Sequence, residues 1–305
     1  MTQVTPFHPP TAFADIVDEI VGLSGIPRDE VERRVWRQVT EPGSSVLEDV
    51  VNFGVTPHEY NDRMLDLYRL GTGFIYETMV YAAKPTRSRW TYQALERILL
   101  HLERTGSAPA QARMLILGDG SGNDSLFFAT RGIHVHYFDV PGSRTYKFAM
   151  NRFAKYGLLG DAIQAVPDYD SCLQGHYDIV LCFDVLEHLP EPLQAIRDIG
   201  RMLKGGGIAL ITEDFGDLAP HLPTHLRLSK KLAGTTPFLF LDAKMVLSWY
   251  SLNPPLKPME FTRVDSVSTK DRWRLWRDPH VRGMYLHTFA HSLAKQLYRL
   301  AHLGG

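Results

Sequence analysis

The N-terminal third of the chain is patterned for helices. Phe13, Ile16, Val17 and Ile20 stand at i, i+3, i+4 and i+7, which puts four apolar side chains on one helix face. Pro27 can open a second helix, Ser45-Val46-Leu47-Glu48 reads as the capping box of a third, and Thr56-Pro57-His58-Glu59 as that of a fourth. Gly71 and Gly73 interrupt the pattern before Phe74 to Ala83, and a longer helix is expected from Trp90 to Glu103. Residues 1–106 are therefore expected to form a helical cap of five or six helices.

After a polar linker, Gly106 to Gln111, the period changes. Apolar runs at Met114 to Leu117, Ile133 to Phe138, Ile163 to Val166, Tyr177 to Phe183 and Ile208 to Thr212 predict strands. Helical stretches at Ser121 to Thr130, Ser143 to Tyr156 and Pro192 to Leu203 alternate with them. That order predicts an α/β fold with a doubly wound, mostly parallel sheet over residues 107–305. The segment from Phe215 to Asn253 is broken by Pro220, Pro223 and Pro237; Thr224 to Leu232 and Leu241 to Tyr250 are expected to be helical, and Met259 to Val267 a late strand. Leu286, Phe289, Leu293, Leu297 and Leu300 mark one stripe of a last helix, Val281 to Leu303.

Composition narrows the class. The 305 residues carry 44% hydrophobic and 22% charged side chains and a net charge of -1, so the whole molecule is not steered towards nucleic acid or an anionic membrane. The basic clusters Arg227-Lys230-Lys231 and Arg272-Arg274-Arg277 leave a weaker nucleic-acid alternative. Cys172 and Cys182 fit neither a CxxC pair nor a zinc knuckle and are expected to be reduced thiols. The opening residues lack the basic start and apolar core of a signal peptide, and no apolar run approaches the roughly 20 residues of a membrane span, so a cytoplasmic protein is expected.

The chemistry is concentrated after the first strand. Gly118, Gly120 and Gly122 follow it directly, and Asp139, 19 positions beyond Gly120 (139 minus 120), ends the second strand, where a carboxylate can accept both hydroxyl hydrogens of a ribose. Glycines so placed serve dinucleotides and adenosyl cofactors alike, but Asn123 stands where the dinucleotide fingerprint has glycine or alanine. Further on come Tyr177 to Leu189 and Leu203-Lys204-Gly205-Gly206-Gly207. With these pieces the stretch 113–213 resembles the class I S-adenosylmethionine-dependent methyltransferases, whose fourth strand reads much like FDVVLCFDVLEHL and whose next helix ends in LKPGG.

The resemblance implies that Gly118, Gly120 and Gly122 lie against the adenosine and methionine parts of S-adenosylmethionine. It further implies that Asp139 binds the ribose, that Asp168 and Tyr169 lie near the adenine, and that Asp184 faces the sulfonium side. The chain departs from the family pattern at Ile116, where an acidic residue is usual, and at Asp119, which is expected to supply that missing charge towards the methionine amino group. Methyl transfer needs the acceptor in line with the methyl and water excluded. A hydroxyl acceptor can lose its proton to a neutral histidine, and His188, His221 and His225 are the candidates for that base. Pro223 separates His221 from His225, so no metal is expected there. Tyr68, Phe74, Tyr76, Tyr81, Trp90 and Tyr92 give the cap an aromatic concentration suited to closing over a small, partly apolar acceptor.

The expected function is thus methylation of oxygen or nitrogen on a small molecule, in the tailoring of a secondary metabolite, with homodimerisation through the cap. A nicotinamide-dependent oxidoreductase and a binding-only or non-methylating use of the fold are the alternatives. Asn253-Pro254-Pro255-Leu256 is similar to the Asn-Pro-Pro-aromatic motif of methyltransferases acting on base amines, but it lacks the aromatic residue and is read as a loop.

Overall fold

The computed structural model describes residues 5–252 and 256–288. Among them six helices precede the first strand: α1 (Phe13–Ser24), α2 (Arg28–Thr40), α3 (Ser44–Asn52), α4 (Asp62–Leu70), α5 (Gly73–Ala82) and α6 (Pro85–Thr105). Ile16, Val17 and Ile20 are buried with Val31, Val35, Ile75 and Met79 as the α1 periodicity predicts. Neither expected capping box forms. The link from α2 to α3 is so short that Gly43, in the left-handed region, sets the helix start, and the Ser45 N–H donates to Gln38 Oε1 at 3.1 Å. Thr56 to Glu59 stay a turn because His58 also takes a left-handed backbone, at φ 69°, and pairs with a distant segment: its N–H donates to Pro223 O at 2.7 Å. The helix begins instead at Asp62, where the Asn61 side chain accepts the Met64 N–H at 3.1 Å.

The remainder alternates: β1 (Arg113–Leu117), α7 (Asn123–Ala129), β2 (His134–Phe138), α8 (Arg144–Lys155), β3 (Ile163–Ala165), α9 (Tyr169–Gln174), β4 (Tyr177–Phe183), α10 (Pro192–Met202), β5 (Leu203–Thr212), α11 (Thr236–Asp242), β6 (Met245–Tyr250), β7 (Met259–Arg263) and α12 (Thr269–Arg277). These strands form one sheet in the order β3-β2-β1-β4-β5-β7-β6, parallel except where β7 joins β5 and β6. Both faces are covered, and successive residues of β1 divide between them. Met114 and Ile116 enter a core with Ile98 of α6 and Phe128 of α7, while Leu115 and Leu117 pack with Ile196 and Ile199 of α10. Cys182 is a free, buried thiol of β4, and Cys172 is likewise free and buried.

Three expectations are corrected in the second half. Leu241 to Tyr250 is not one helix: Lys244, at φ 60°, ends it, and the period-two burial of Met245 and Leu247 makes β6 an antiparallel partner of β7. Of Thr224 to Leu232 only Arg227–Leu232 is helical, as a 3-10 turn. The Lys204 to Gly207 segment is part of β5 rather than a helix end, with Leu203 beside Tyr177. Helix α12, which periodicity did not reveal, has a capping box between Ser268 and Asp271. Trp276, between the basic residues of that helix, packs on Phe238 with centroids 5.0 Å apart. Residues 279–288 are helical, but Leu286 is exposed rather than on a buried stripe. Phe289 and the leucines beyond it lie outside the described residues, as do Asn253, Pro254 and Pro255. Among the described residues no helix is long and apolar enough to cross a membrane.

The strand order reverses between β1 and β4, and ligands of open α/β sheets bind in the crevice at such a point. Registers place Leu117 beside Phe138 on one side and Cys182 on the other, so Gly118, Asp139 and Asp184 emerge together at one sheet edge. Helix α1 closes against this half through a buried ion pair, Glu19 with Arg152 at 2.9 Å.

Candidate active site

The loop after β1 is built for close approach. Gly118, Gly120 and Gly122 have φ of 72°, 58° and 77°. A Cβ on Gly118 would stand 2.5 Å from Val185 Cγ2, and one on Gly120 2.8 Å from Thr78 Cγ2. Asp139 organises the loop: its carboxylate accepts the Gly120 N–H and the Val140 N–H, each at 2.7 Å, and the Tyr137 hydroxyl donates to Gly120 O at 2.8 Å. Burial raises the Asp139 pKa, which those two N–H groups oppose. Asn123 has a structural task of its own, accepting from Arg152 at 3.0 Å and donating to Thr78 O at 3.3 Å.

Asp119 lines the same cavity, but both its carboxylate oxygens point at the start of α7, accepting the Asp124 N–H at 3.0 Å and the Ser125 N–H at 2.7 Å. Burial raises its pKa, and the neighbouring Asp124 adds to the effect. Ile116 is buried in the core beneath. Asp119→Ala is expected to destabilise the chain by about 1–2 kcal/mol, as loss of a helix-start acceptor does. Chemical denaturation would show it; an unchanged midpoint means the α7 amides find water instead.

The two residues expected near an adenine part company. Asp168 is exposed and caps α9, accepting the Ser171 N–H at 2.7 Å, whereas Tyr169 lines the cavity with its ring 5.8 Å from that of Phe138. Asp184 sits at the end of β4 with a left-handed φ of 55°; it accepts from the Thr212 hydroxyl at 2.7 Å and from the Tyr81 hydroxyl of α5 at 3.2 Å. That second bond joins the helical segment to the sheet edge across the crevice.

The cavity enclosed in this way measures ≈ 830 Å³. From the helical side Tyr68, Phe74, Tyr81 and Tyr92 line it, while Tyr76 and Trp90 are spent in packing. Glu77 lines it as well, a residue for which the sequence held no signal. Burial, with Asp184 adding to it and Lys84 opposing, pushes the Glu77 carboxyl up to about 7 from its ordinary 4.5. The folded chain then holds that proton more tightly than the unfolded chain, so stability falls as pH rises from 4.5 to about 7. Melting curves below, within and above that window should show Glu77→Gln gaining on the wild type inside it and no further above. A gap independent of pH would mean that Glu77 titrates as a surface carboxylate.

Two of the three candidate histidines meet. His188, in a 3-10 turn after β4, donates from Nδ1 to Thr224 O at 3.1 Å, and His225 from Nδ1 to Asp217 O at 2.9 Å. A carbonyl only accepts, so each neutral ring carries its proton on Nδ1 and keeps a lone pair on Nε2. The rings are 4.8 Å apart and nearly perpendicular. Burial, then the neighbouring His225, pushes His188 down to about 3. Beside them Glu187 is completely buried; its Oε1 accepts the Asp214 N–H at 3.2 Å, and burial with the Asp184 charge holds its pKa well above the carboxylate range. His221 lies exposed at the rim of the cavity. His58, unsuspected from sequence, donates from Nδ1 to His225 O at 2.9 Å and fixes that loop from the helical side.

A crevice at the sheet's reversal point, a glycine cradle and a strand-end carboxylate define an α/β protein that binds an adenosine-containing cofactor. The model of a methyltransferase domain matches residues 88–299, well over half the chain, and the chain belongs to the class I S-adenosylmethionine-dependent methyltransferases. A ubiquinone biosynthesis O-methyltransferase of Xanthomonas axonopodis pv. citri (strain 306) is 33% identical over 115 residues, 37% of this chain and 48% of that one. Its counterpart from Marinobacter nauticus is 36% identical over 101 residues, 32% of this chain and 42% of that one. The chain thus spans about half the length of the curated relatives it matches. The solved structure of the CurJ carbon methyltransferase superposes with a TM-score of 0.49 at 14% identity, covering 82% of this chain and 71% of that one. With Asn123 committed to Arg152, the match disfavours the nicotinamide alternative. The residues present fit S-adenosylmethionine: glycines where a Cβ would fill the cradle, Asp139 beside it, and the rings of Phe138 and Tyr169 along the cavity wall.

Proposed function

We propose that the chain transfers a methyl group from S-adenosylmethionine to an oxygen or nitrogen of a small, partly apolar acceptor held between α4–α6 and the carboxyl edge of the sheet. The observation that carries this reading is the shared cavity: Gly118, Asp119, Gly120 and Asp139 line it from the sheet edge, and Tyr68, Phe74 and Tyr81 from the helices. Asp139 would hold the ribose hydroxyls, Tyr169 would flank the adenine, and Asp184 would face the sulfonium side. When bound, the cofactor supplies an electrophilic methyl on a sulfonium. Tyr81, tied to Asp184, and the aromatic wall exclude water from the space beside it. His188 and His225 present neutral Nε2 atoms towards the acceptor, and His221 stands at its entrance. Residues 1–106 serve as substrate lid to a cofactor-binding unit of 107–305. The similarity to ubiquinone biosynthesis O-methyltransferases supports oxygen as the acceptor atom and a biosynthetic role. Exposed Trp36, Val51 and Leu70 offer apolar surface for a homodimer.

Calorimetry with S-adenosylhomocysteine should give saturable binding, one equivalent per chain; absence of heat overturns the reading. A screen of phenols, catechols and amines should then convert S-adenosylmethionine to S-adenosylhomocysteine with at least one acceptor. Tight cofactor binding without turnover on any would favour the non-methylating use of the fold.

A further inference from the structure

We propose that Glu187, His188 and His225 form a binding site for a first-row divalent transition cation, beside the acceptor end of the cavity. The donor atoms of these three side chains all lie within 4.8 Å of one another. Two imidazole nitrogens and one carboxylate are the donor set that such cations take with coordination positions left open. Each histidine already makes the outer contact typical of a metal ligand: Nδ1–H is fixed on a backbone carbonyl, of Thr224 in one case and Asp217 in the other, so the lone pair of each ring is on Nε2.

The second, independent observation is Glu187. It is wholly buried, its Oε1 is engaged by the Asp214 N–H, and its Oε2 has no hydrogen-bond partner. A buried carboxylate oxygen left bare is rare, because nothing replaces the water it gave up. Asp184 and Asp214 stand in a second group with Glu187 under the same 4.8 Å limit, and Lys257 Nζ pairs with Asp214 at 2.5 Å. Three carboxylates thus stand against the single charge of Lys257, which leaves the surroundings favouring added positive charge. The loop that carries His225 is held from two sides, by the Leu226 N–H on Glu187 O at 2.9 Å and by His58 on His225 O at 2.9 Å, so the donors are brought together by the fold.

The use of the site rests on the proposed methyl transfer. A hydroxyl of the acceptor bound to the cation would release its proton to solvent. Its oxygen lone pair would then form the new carbon–oxygen bond as the methyl–sulfur bond breaks, leaving that electron pair on sulfur and converting sulfonium to thioether. Oxygen acceptors able to coordinate, such as catechols, are the class this favours.

The test uses the full chain, dialysed against a chelator and titrated with Zn²⁺, Mn²⁺ and, as a control, Mg²⁺. One equivalent of Zn²⁺ should bind saturably, and Co²⁺ in its place should develop visible bands of a protein-bound ion. His188→Ala and His225→Ala should each weaken Zn²⁺ binding by at least about 100-fold, the most that loss of an outer contact alone produces. Glu187→Gln, which preserves shape, should weaken it too, while His134→Ala, an exposed histidine of β2, should not. Binding of S-adenosylhomocysteine by each variant reports that it is folded. Wild type that binds S-adenosylhomocysteine but takes up neither Zn²⁺ nor Mn²⁺ saturably overturns the site, as does undiminished Zn²⁺ binding in both alanine variants. A chain that binds Zn²⁺ through these residues but no S-adenosylhomocysteine upholds the site and overturns the methyltransferase reading instead.

Discussion

Replacing Gly122 by alanine is expected to destabilise the chain by about 2–5 kcal/mol, combining the cost of a left-handed backbone with that of overpacking a core. Gly122 precedes the first residue of α7 at φ 77°, and a Cβ there would lie 2.4 Å and 2.5 Å from Phe153 Cε1 and Cζ. Phe153 cannot retreat cheaply: it is fully buried and meets the Tyr137 ring edge-on at 5.1 Å. Because Tyr137 in turn donates to Gly120 O, a shifted Phe153 disturbs the cofactor loop as well as the core. Gly132→Ala is the control, with the same backbone sign at φ 82° and open space around its Cβ. Urea unfolding of both variants separates the terms: Gly132→Ala reports the backbone cost, and the excess at Gly122 reports the clash. Equal losses in the two would sink the packing argument.

Asp139→Ala is expected to weaken S-adenosylhomocysteine binding by about 100- to 1,000-fold, on the order of 3–4 kcal/mol. Two effects combine there. The ribose would lose a charged acceptor, and the Gly120 and Val140 N–H groups that now converge on the carboxylate would lose their shared anchor, loosening the loop. Asp139→Asn keeps an acceptor and the shape, so it should fall between the two. Because burial raises the Asp139 pKa, its charged form is lost earlier on acidification than an exposed carboxylate's. Affinity should therefore drop on acidification in the wild type and stay flat in the alanine variant. Calorimetry across pH checks this; an alanine variant that binds as well as wild type would remove Asp139 from the site.

Much of this was legible in local pattern. Successive β1 residues belong to two different cores, so Met114 to Leu117 reads as one unbroken apolar run, the mark of a strand covered on both faces. Gly118, Gly120 and Gly122 betray themselves because side chains would collide with Val185, Thr78 and Phe153, and Asp139 and Asp184 because they end strands. Local signals also misled. Thr56 to Glu59 has the residues of a helix start, yet His58 pairs with Pro223, Arg227 and His225, far along the chain. Leu241 to Tyr250 reads as one helix, yet α11 ends at Asp242 and pairing with β7 makes Met245 to Tyr250 a strand. Asp119 drew attention for its charge, but the geometry of α7's first turn sets where its carboxylate points.

The sequence by itself determined the alternating α/β fold, its family and the residues at the strand ends, because periodicity, glycine and strand-end carboxylates act over a few neighbouring positions. Only the tertiary structure decided that Tyr81 reaches Asp184, that Glu77 faces the same cavity, and that His225 comes to Glu187 and His188. Those meetings depend on which strand edge each loop crosses and on what packs behind it. Spacing along the chain does not encode that, since it arises only when the sheet order and the helical cover close one cavity from both sides.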